Sequence, residues 1–156
     1  MNASSMKAVT HLLLLVGILM LGTGCSGFHR AWKQELSTNA SYTKSEIEGA
    51  WEGEWISDSN GHHGRLRCLV SENEDGTYTT WYHAKYKKML SFAYSVDVET
   101  GLLPDGYSFK GKADLGKLAG GMYEYEGKVS DGYFDANYKS KFDYGTFKMN
   151  RPRTDK

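Results

Sequence analysis

The stretch Tyr78-Thr79-Thr80-Trp81-Tyr82-His83-Ala84-Lys85-Tyr86, followed across Lys87-Lys88-Met89 by Leu90-Ser91-Phe92-Ala93-Tyr94-Ser95-Val96-Asp97-Val98, decides the fold class. Tyr78, Thr80, Tyr82, Ala84 and Tyr86 share one parity, and so do Leu90, Phe92, Tyr94, Val96 and Val98. Successive side chains of a strand point to opposite faces, so each run reads as a strand with one core face and one polar face. Aromatic and β-branched residues, which suit a pleated half-buried surface, dominate the core parity.

The alternation continues outward. Tyr107, Phe109, Gly111, Ala113 and Leu115 form the next face, then Tyr123, Tyr125, Gly127 and Val129, then Phe134, Ala136 and Tyr138, then Phe147 and Met149. Two further strands are expected near residues 50–57 and 64–71. Turn signals separate the runs: Asp58 to Gly61, Asn73 to Gly76, Thr100-Gly101 through Gly106, Gly116 to Gly121, and Asp131-Gly132. Pro104 and Pro152 fall outside the strands. The pattern predicts an all-β domain over residues 49–151, a single antiparallel meander of about eight strands closing into a small barrel, with a tail at 152–156. The echo of Tyr107-Ser-Phe109-Lys-Gly111-Lys112 in Tyr123-Glu-Tyr125-Glu-Gly127-Lys128 reads as two strands meeting the same packing demand.

The totals bound the function. A chain of 156 residues is one domain's worth, and Lys+Arg 19 against Asp+Glu 19 gives nucleic acid no electrostatic footing. Residues 1–24 read as a signal peptide: Lys7 supplies the positive start, and the apolar run from Leu12 to Leu21 is too short to span a bilayer. Met6 is an alternative start. Leu21-Gly22-Thr23-Gly24-Cys25-Ser26 resembles the bacterial lipobox, with Gly22 where Leu is usual. That resemblance implies a lipid on Cys25, an anchor in the cell envelope and, with Ser26 and not Asp next in line, an outer membrane facing the periplasm. The alternative is an ordinary secretory peptide that leaves Cys25 a free thiol. With Cys25 lipidated, Cys68 has no partner and reads as a small buried apolar residue.

Residues 25–48 form the tether. Phe28, Trp32 and Leu36 make an apolar stripe if helical, fit either to lie on the membrane or to cap the open end of the domain. Ser37 to Ser41 is polar and flexible in composition, and Ser45 with Glu48 has the spacing of a capping box.

Gly49-Ala50-Trp51-Glu52-Gly53-Glu54-Trp55 on the first strand, with Arg151 after Phe147-Lys148-Met149-Asn150 on the last, resembles the calycins, the lipocalin and avidin group of barrels. The resemblance implies a binding protein in which a Trp (Trp51 or Trp55) closes one end and Arg151 packs across its indole. The domain is shorter than a typical lipocalin and lacks the usual disulfide. Phe142-Asp143-Tyr144 is similar to a lipocalin motif but sits too near the C-terminus to take its role.

The inward parity carries Tyr78, Tyr82, Tyr86, Tyr94, Tyr107, Tyr123, Tyr125 and Tyr138. Buried phenols need partners, which a wet cavity with an amphipathic ligand supplies more readily than a dry core. Gly111, Gly127, Ala84, Ala113 and Ala136 would leave room. Tyr78, Tyr82, Tyr94, Tyr107, Tyr123, Tyr125 and Tyr138 are therefore candidate ligand contacts. The competing reading is a filled barrel with its tyrosines at the rims, acting as an envelope interaction module through outward Trp81 and Tyr133.

Catalysis is not expected. His62 and His63 are adjacent and point oppositely on an extended chain, His83 has no ligand-spaced companion, and no metal or other cofactor is foreseen. Gly116 to Gly121 lacks the Lys-Ser/Thr and helix of a phosphate loop and reads as a hairpin turn. No Gly-x-Ser-x-Gly elbow occurs.

Overall fold

The computed structural model describes residues 26–37, 45–87, 90–117 and 120–153. The signal peptide, the lipidation expected at Cys25 and the polar run at 38–41 lie outside the described residues.

Eight strands form: β1 (Gly49–Ser57), β2 (His63–Glu72), β3 (Tyr78–Tyr86), β4 (Leu90–Leu103), β5 (Gly106–Asp114), β6 (Met122–Ser130), β7 (Tyr133–Lys139) and β8 (Tyr144–Asn150). Each pairs antiparallel with its sequence neighbour, and β1 returns to β8 to close the barrel. Closure satisfies both edges of the sheet, which would otherwise present unpaired backbone. The turn expected across Thr100-Gly101 through Gly106 forms only in its second half. Thr100 pairs with Phe109 and Gly101 with Ser108, so β4 runs on to Leu103 and the chain reverses at Pro104-Asp105. At Gly116 to Gly121 a turn does form, with Gly116, Gly120 and Gly121 all at positive φ.

The parity read from the sequence is the parity of the core. Trp51, Leu66, Cys68, Val70, Tyr82, Val96, Val98, Phe109, Val129, Phe134, Phe147 and Met149 are buried together. Gly111 and Gly127 leave no room for a ligand, contrary to the expectation. A Cβ on Gly127 would lie 2.2 Å from the Asp135 carbonyl oxygen and 2.7 Å from the Phe109 ring. One on Gly111 would lie 2.6 Å from the Asp97 oxygen. These glycines let neighbouring strands cross closely enough to coil a short sheet shut.

The segment 26–37 is a helix, α1, and it neither caps an open end nor stands free. It lies on the outer wall of β1–β3, where Phe28 and Trp32 pack with Ala50, Leu36, Leu69 and Trp81. Phe28 meets Trp81 edge-on at 5.2 Å and stacks on His83 at 5.1 Å, and the Arg67 guanidinium sits 4.7 Å from the Trp32 ring. Trp81 is thus half-buried and does not join an exposed patch, whereas Tyr133 is 60% exposed.

His83 makes this docking sensitive to acid. Its Nε2 is buried without a hydrogen-bond partner. Its pKa is lowered, first by burial and then by the positive groups around it: His29 from α1, Arg67 from β2 and Lys85 from β3. Glu52, the nearby acid, is engaged with Arg67 at 3.6 Å. A histidine held neutral in the fold contributes stability above its ordinary pKa and loses it as pH falls through the depressed folded value. Acidification from pH ~7 to ~4 is therefore expected to detach α1 before the barrel melts. Amide exchange should quicken across 29–37 and stay slow in the strands. A His83→Phe chain that shows the same acid step would sink this assignment.

Candidate functional site

The two barrel ends differ. At one, where β1 begins and β8 finishes, the interior is filled. Trp51 is fully buried, donates its indole N–H to the Ile47 carbonyl at 2.8 Å and packs on Phe134 at 5.6 Å. The Arg151 guanidinium lies 3.7 Å from the Trp51 ring centroid. Its Nη1 donates to the carbonyls of Glu48 (2.7 Å) and Ala50 (3.2 Å), and its Nη2 to that of Glu46. The entering turn is closed by Ser45 and Glu48, whose Oε2 accepts from the Ser45 backbone N–H at 2.9 Å and its hydroxyl at 3.0 Å. Trp51 thus closes the barrel. Trp55 sits toward the other end, half-buried, with its Nε1 3.4 Å from the Lys85 carbonyl.

At that other end the barrel is open. A cavity of ≈ 400 Å³ is lined by Trp55, Ala84, Phe92, Ala93, Tyr94, Leu115, Tyr123, Tyr125, Tyr138, Asp143 and Phe147. Ring contacts run around it: Phe92–Tyr94 at 6.1 Å, Tyr94–Tyr125 at 6.3 Å, Tyr123–Tyr125 at 6.2 Å, Tyr123–Tyr138 at 6.1 Å and Tyr138–Phe147 at 5.0 Å. A broader depression of ≈ 970 Å³ crosses the outer wall of β4–β8, but it is shallow, carries the charged side chains of Glu99, Lys110, Glu126 and Lys148 among its lining, and opens to solvent. The apolar cavity with few polar groups is the better container.

Asp143, in the β7–β8 connection, supplies the polar focus. Its Oδ1 accepts from the hydroxyls of Ser57 (2.6 Å) and Ser59 (2.7 Å), and its Oδ2 from Tyr138 (3.2 Å). Burial pushes the Tyr94, Tyr125 and Tyr138 hydroxyls up from their ordinary pKa, and the Asp143 charge raises Tyr138 further. All three stay protonated at neutral pH: Tyr138 gives its proton to Asp143, and Tyr94 and Tyr125 interact with each other.

The candidate tyrosines therefore divide. Tyr94, Tyr123, Tyr125 and Tyr138 share the cavity. Tyr78 lies at the closed end, its hydroxyl 3.4 Å from the Ser45 Oγ, and Tyr107 packs against the core beside Val129. Tyr82 sits beneath the cavity, its ring 5.3 Å from those of Tyr94 and Phe147. Its hydroxyl is buried with no hydrogen-bond partner, and burial raises its pKa well above the ordinary value. The Thr80 hydroxyl close by donates to the Val96 carbonyl at 2.8 Å and offsets the burial effect on Tyr82 only in part. An unpaired buried hydroxyl costs ~1–3 kcal/mol, so Tyr82→Phe is expected to raise stability by ~1 kcal/mol in urea unfolding. A loss of stability would mean that the hydroxyl has a partner.

Phe92 and Phe147 belong to the inward parity and could have been named from it. Asp143 could not, because its role depends on β8 meeting β1 and bringing Ser57 alongside. His62 and His63 are exposed at the β1–β2 turn, with the His63 Nδ1 3.3 Å from the Gly61 carbonyl. Among the described residues no group of three or more His, Cys, Asp or Glu side chains is placed to hold a metal ion, and no helix is long and apolar enough to cross a membrane. Comparison of the chain with protein-family models, curated proteins and solved structures gives no match in any of the three.

Proposed function

We propose that this chain is a lipid-anchored cell-envelope protein whose calycin-like barrel holds a small amphipathic or apolar molecule in its open end, without catalysis. The observation that carries the proposal is the aromatic cavity of ≈ 400 Å³, which lies within the range of volumes used for small-molecule sites. The rings of Trp55, Phe92, Tyr94, Tyr123 and Phe147 suit an apolar body, and Tyr138 with Asp143 suits a polar head. The calycin likeness is supported by Gly49-x-Trp51 on β1 of a closed eight-strand meander, with Arg151 stacked on the indole from the end of β8. The lipid anchor is inferred from the sequence around Cys25.

Native mass spectrometry of the chain purified from its own host tests the binding. An extra mass that recurs between preparations and disappears on denaturation is the expected result. A bare mass, with partner proteins co-purifying instead, would favour the interaction module.

A further inference from the structure

The two ends of the barrel differ in surface chemistry as well as in packing. At the closed end the β2–β3, β4–β5 and β6–β7 hairpins carry Glu72, Glu74, Asp75, Asp105 and Asp131, all exposed, with no lysine or arginine among them, while Arg151, held on Trp51, and Arg153 follow β8 at the same end. At the open end the rim carries Lys87, Lys117, Lys139 and Lys141, all exposed, against Asp58, Asp114, the internally bonded Asp143, and Glu124, which lies opposite Lys139 and is bridged to Lys112 at 2.7 Å. Between these lysines stand Leu90 (61% exposed), Phe92 (49%) and Phe142 (70%). Leu102 and Tyr133 are also exposed, but they stand among the acids of the other end. Apolar tips set among lysines are the chemistry of a surface that meets anionic lipid, while the acidic end would be repelled by it.

Helix α1 is oriented to match. Its C-terminal part lies at the closed end, where a Cβ on Gly49 would be 3.1 Å from the Glu35 Oε1. Its N-terminal part lies farther up β3 toward the mouth, with Phe28 on His83 and Gly27 beside Trp81. Ser26 thus begins at the end of α1 nearer the mouth, and Cys25 is the residue before it.

We propose that the open end of the barrel docks on an anionic lipid surface, with Leu90, Phe92 and Phe142 entering the headgroup layer and Lys87, Lys117, Lys139 and Lys141 on lipid phosphates. This deepens the binding reading by setting the cavity mouth against the layer from which an amphipathic molecule would come. The docking stands on the rim alone, so the two can fail separately.

The test uses the chain as its host makes it, reconstituted into vesicles of phosphatidylcholine with about one third phosphatidylglycerol, an anionic fraction that gives lysines a target. Phe142→Trp at the open end and Tyr133→Trp at the closed end each add one indole at an exposed aromatic position. Brominated phosphatidylcholine should quench the indole added at 142 at least ~2-fold more than that added at 133, each read against the unsubstituted chain. Adding Lys117→Glu and Lys141→Glu to Phe142→Trp should remove most of that difference. Equal quenching at both ends, stronger quenching at 133, or a difference indifferent to the lysines would overturn the docking. A bare mass in the native spectrum with this quenching intact would remove the bound molecule and leave the docking standing.

Discussion

Trp51→Ala is expected to destabilise the barrel by ~3–5 kcal/mol, read as a lower midpoint in denaturant with an unchanged slope. Trp51 is fully buried and its indole N–H holds the Ile47 carbonyl, so truncation leaves both a cavity and a buried acceptor without its donor. Arg151→Ala is expected to cost ~2–3 kcal/mol, because it strips the donor from the carbonyls of Glu46, Glu48 and Ala50 and uncovers the Trp51 face. The two residues touch, so the double variant should cost less than the sum, with a coupling of ~1–2 kcal/mol. Strict additivity would show that the cation and the ring are neighbours without being partners. This clasp ties the start of β1 to the residue just after β8, and the same two strands close the barrel through their ladder. Its loss should therefore loosen the seam as a whole and not one side chain.

Ala84→Phe should abolish the proposed binding while the barrel still folds. Ala84 lines the cavity at the level of Phe92, its cross-strand partner, and is only 3% exposed, so a benzyl group there takes up cavity volume and presses on the core beside it at a cost of ~1–3 kcal/mol. Displacing about six ligand carbons at ~0.8 kcal/mol each weakens binding by at least ~100-fold. The measurement is the bound fraction in native mass spectrometry beside the thermal midpoint of the same preparation. A retained ligand at an unchanged midpoint would place the binding site elsewhere. Loss of both would mean that the mouth is more tightly packed than its volume implies.

Much of the fold was legible because a strand commits its side chains to alternate faces, and the chain keeps that commitment through every hairpin. Tyr82, Val96, Phe109, Val129, Phe134 and Phe147 could be placed inside before any pairing was known. The run to Leu103 was missed because Thr100-Gly101 has turn composition, while its partners Phe109 and Ser108 lie across the sheet and hold it extended. Trp81 was misplaced for a related reason. Its parity is outward, but outward is not exposed when a helix from elsewhere in the chain lies on that wall.

The pairing of a first-strand Trp with a last-strand Arg was implied by the calycin resemblance alone, while the sequence by itself determined the class of fold, the inward parity of the core, and the helical stripe of Phe28 and Trp32. Those are properties of local period and of residue type. Only the tertiary structure decided which Trp packs into the filled end, which tyrosines share a cavity, that Gly111 and Gly127 serve strand crossing instead of a ligand, and that the hairpins of the closed end carry acids without a lysine while four lysines stand at the mouth. Each of those depends on where along the axis a residue falls. That height is set by register and by the seam between β1 and β8, which join parts of the chain about a hundred residues apart.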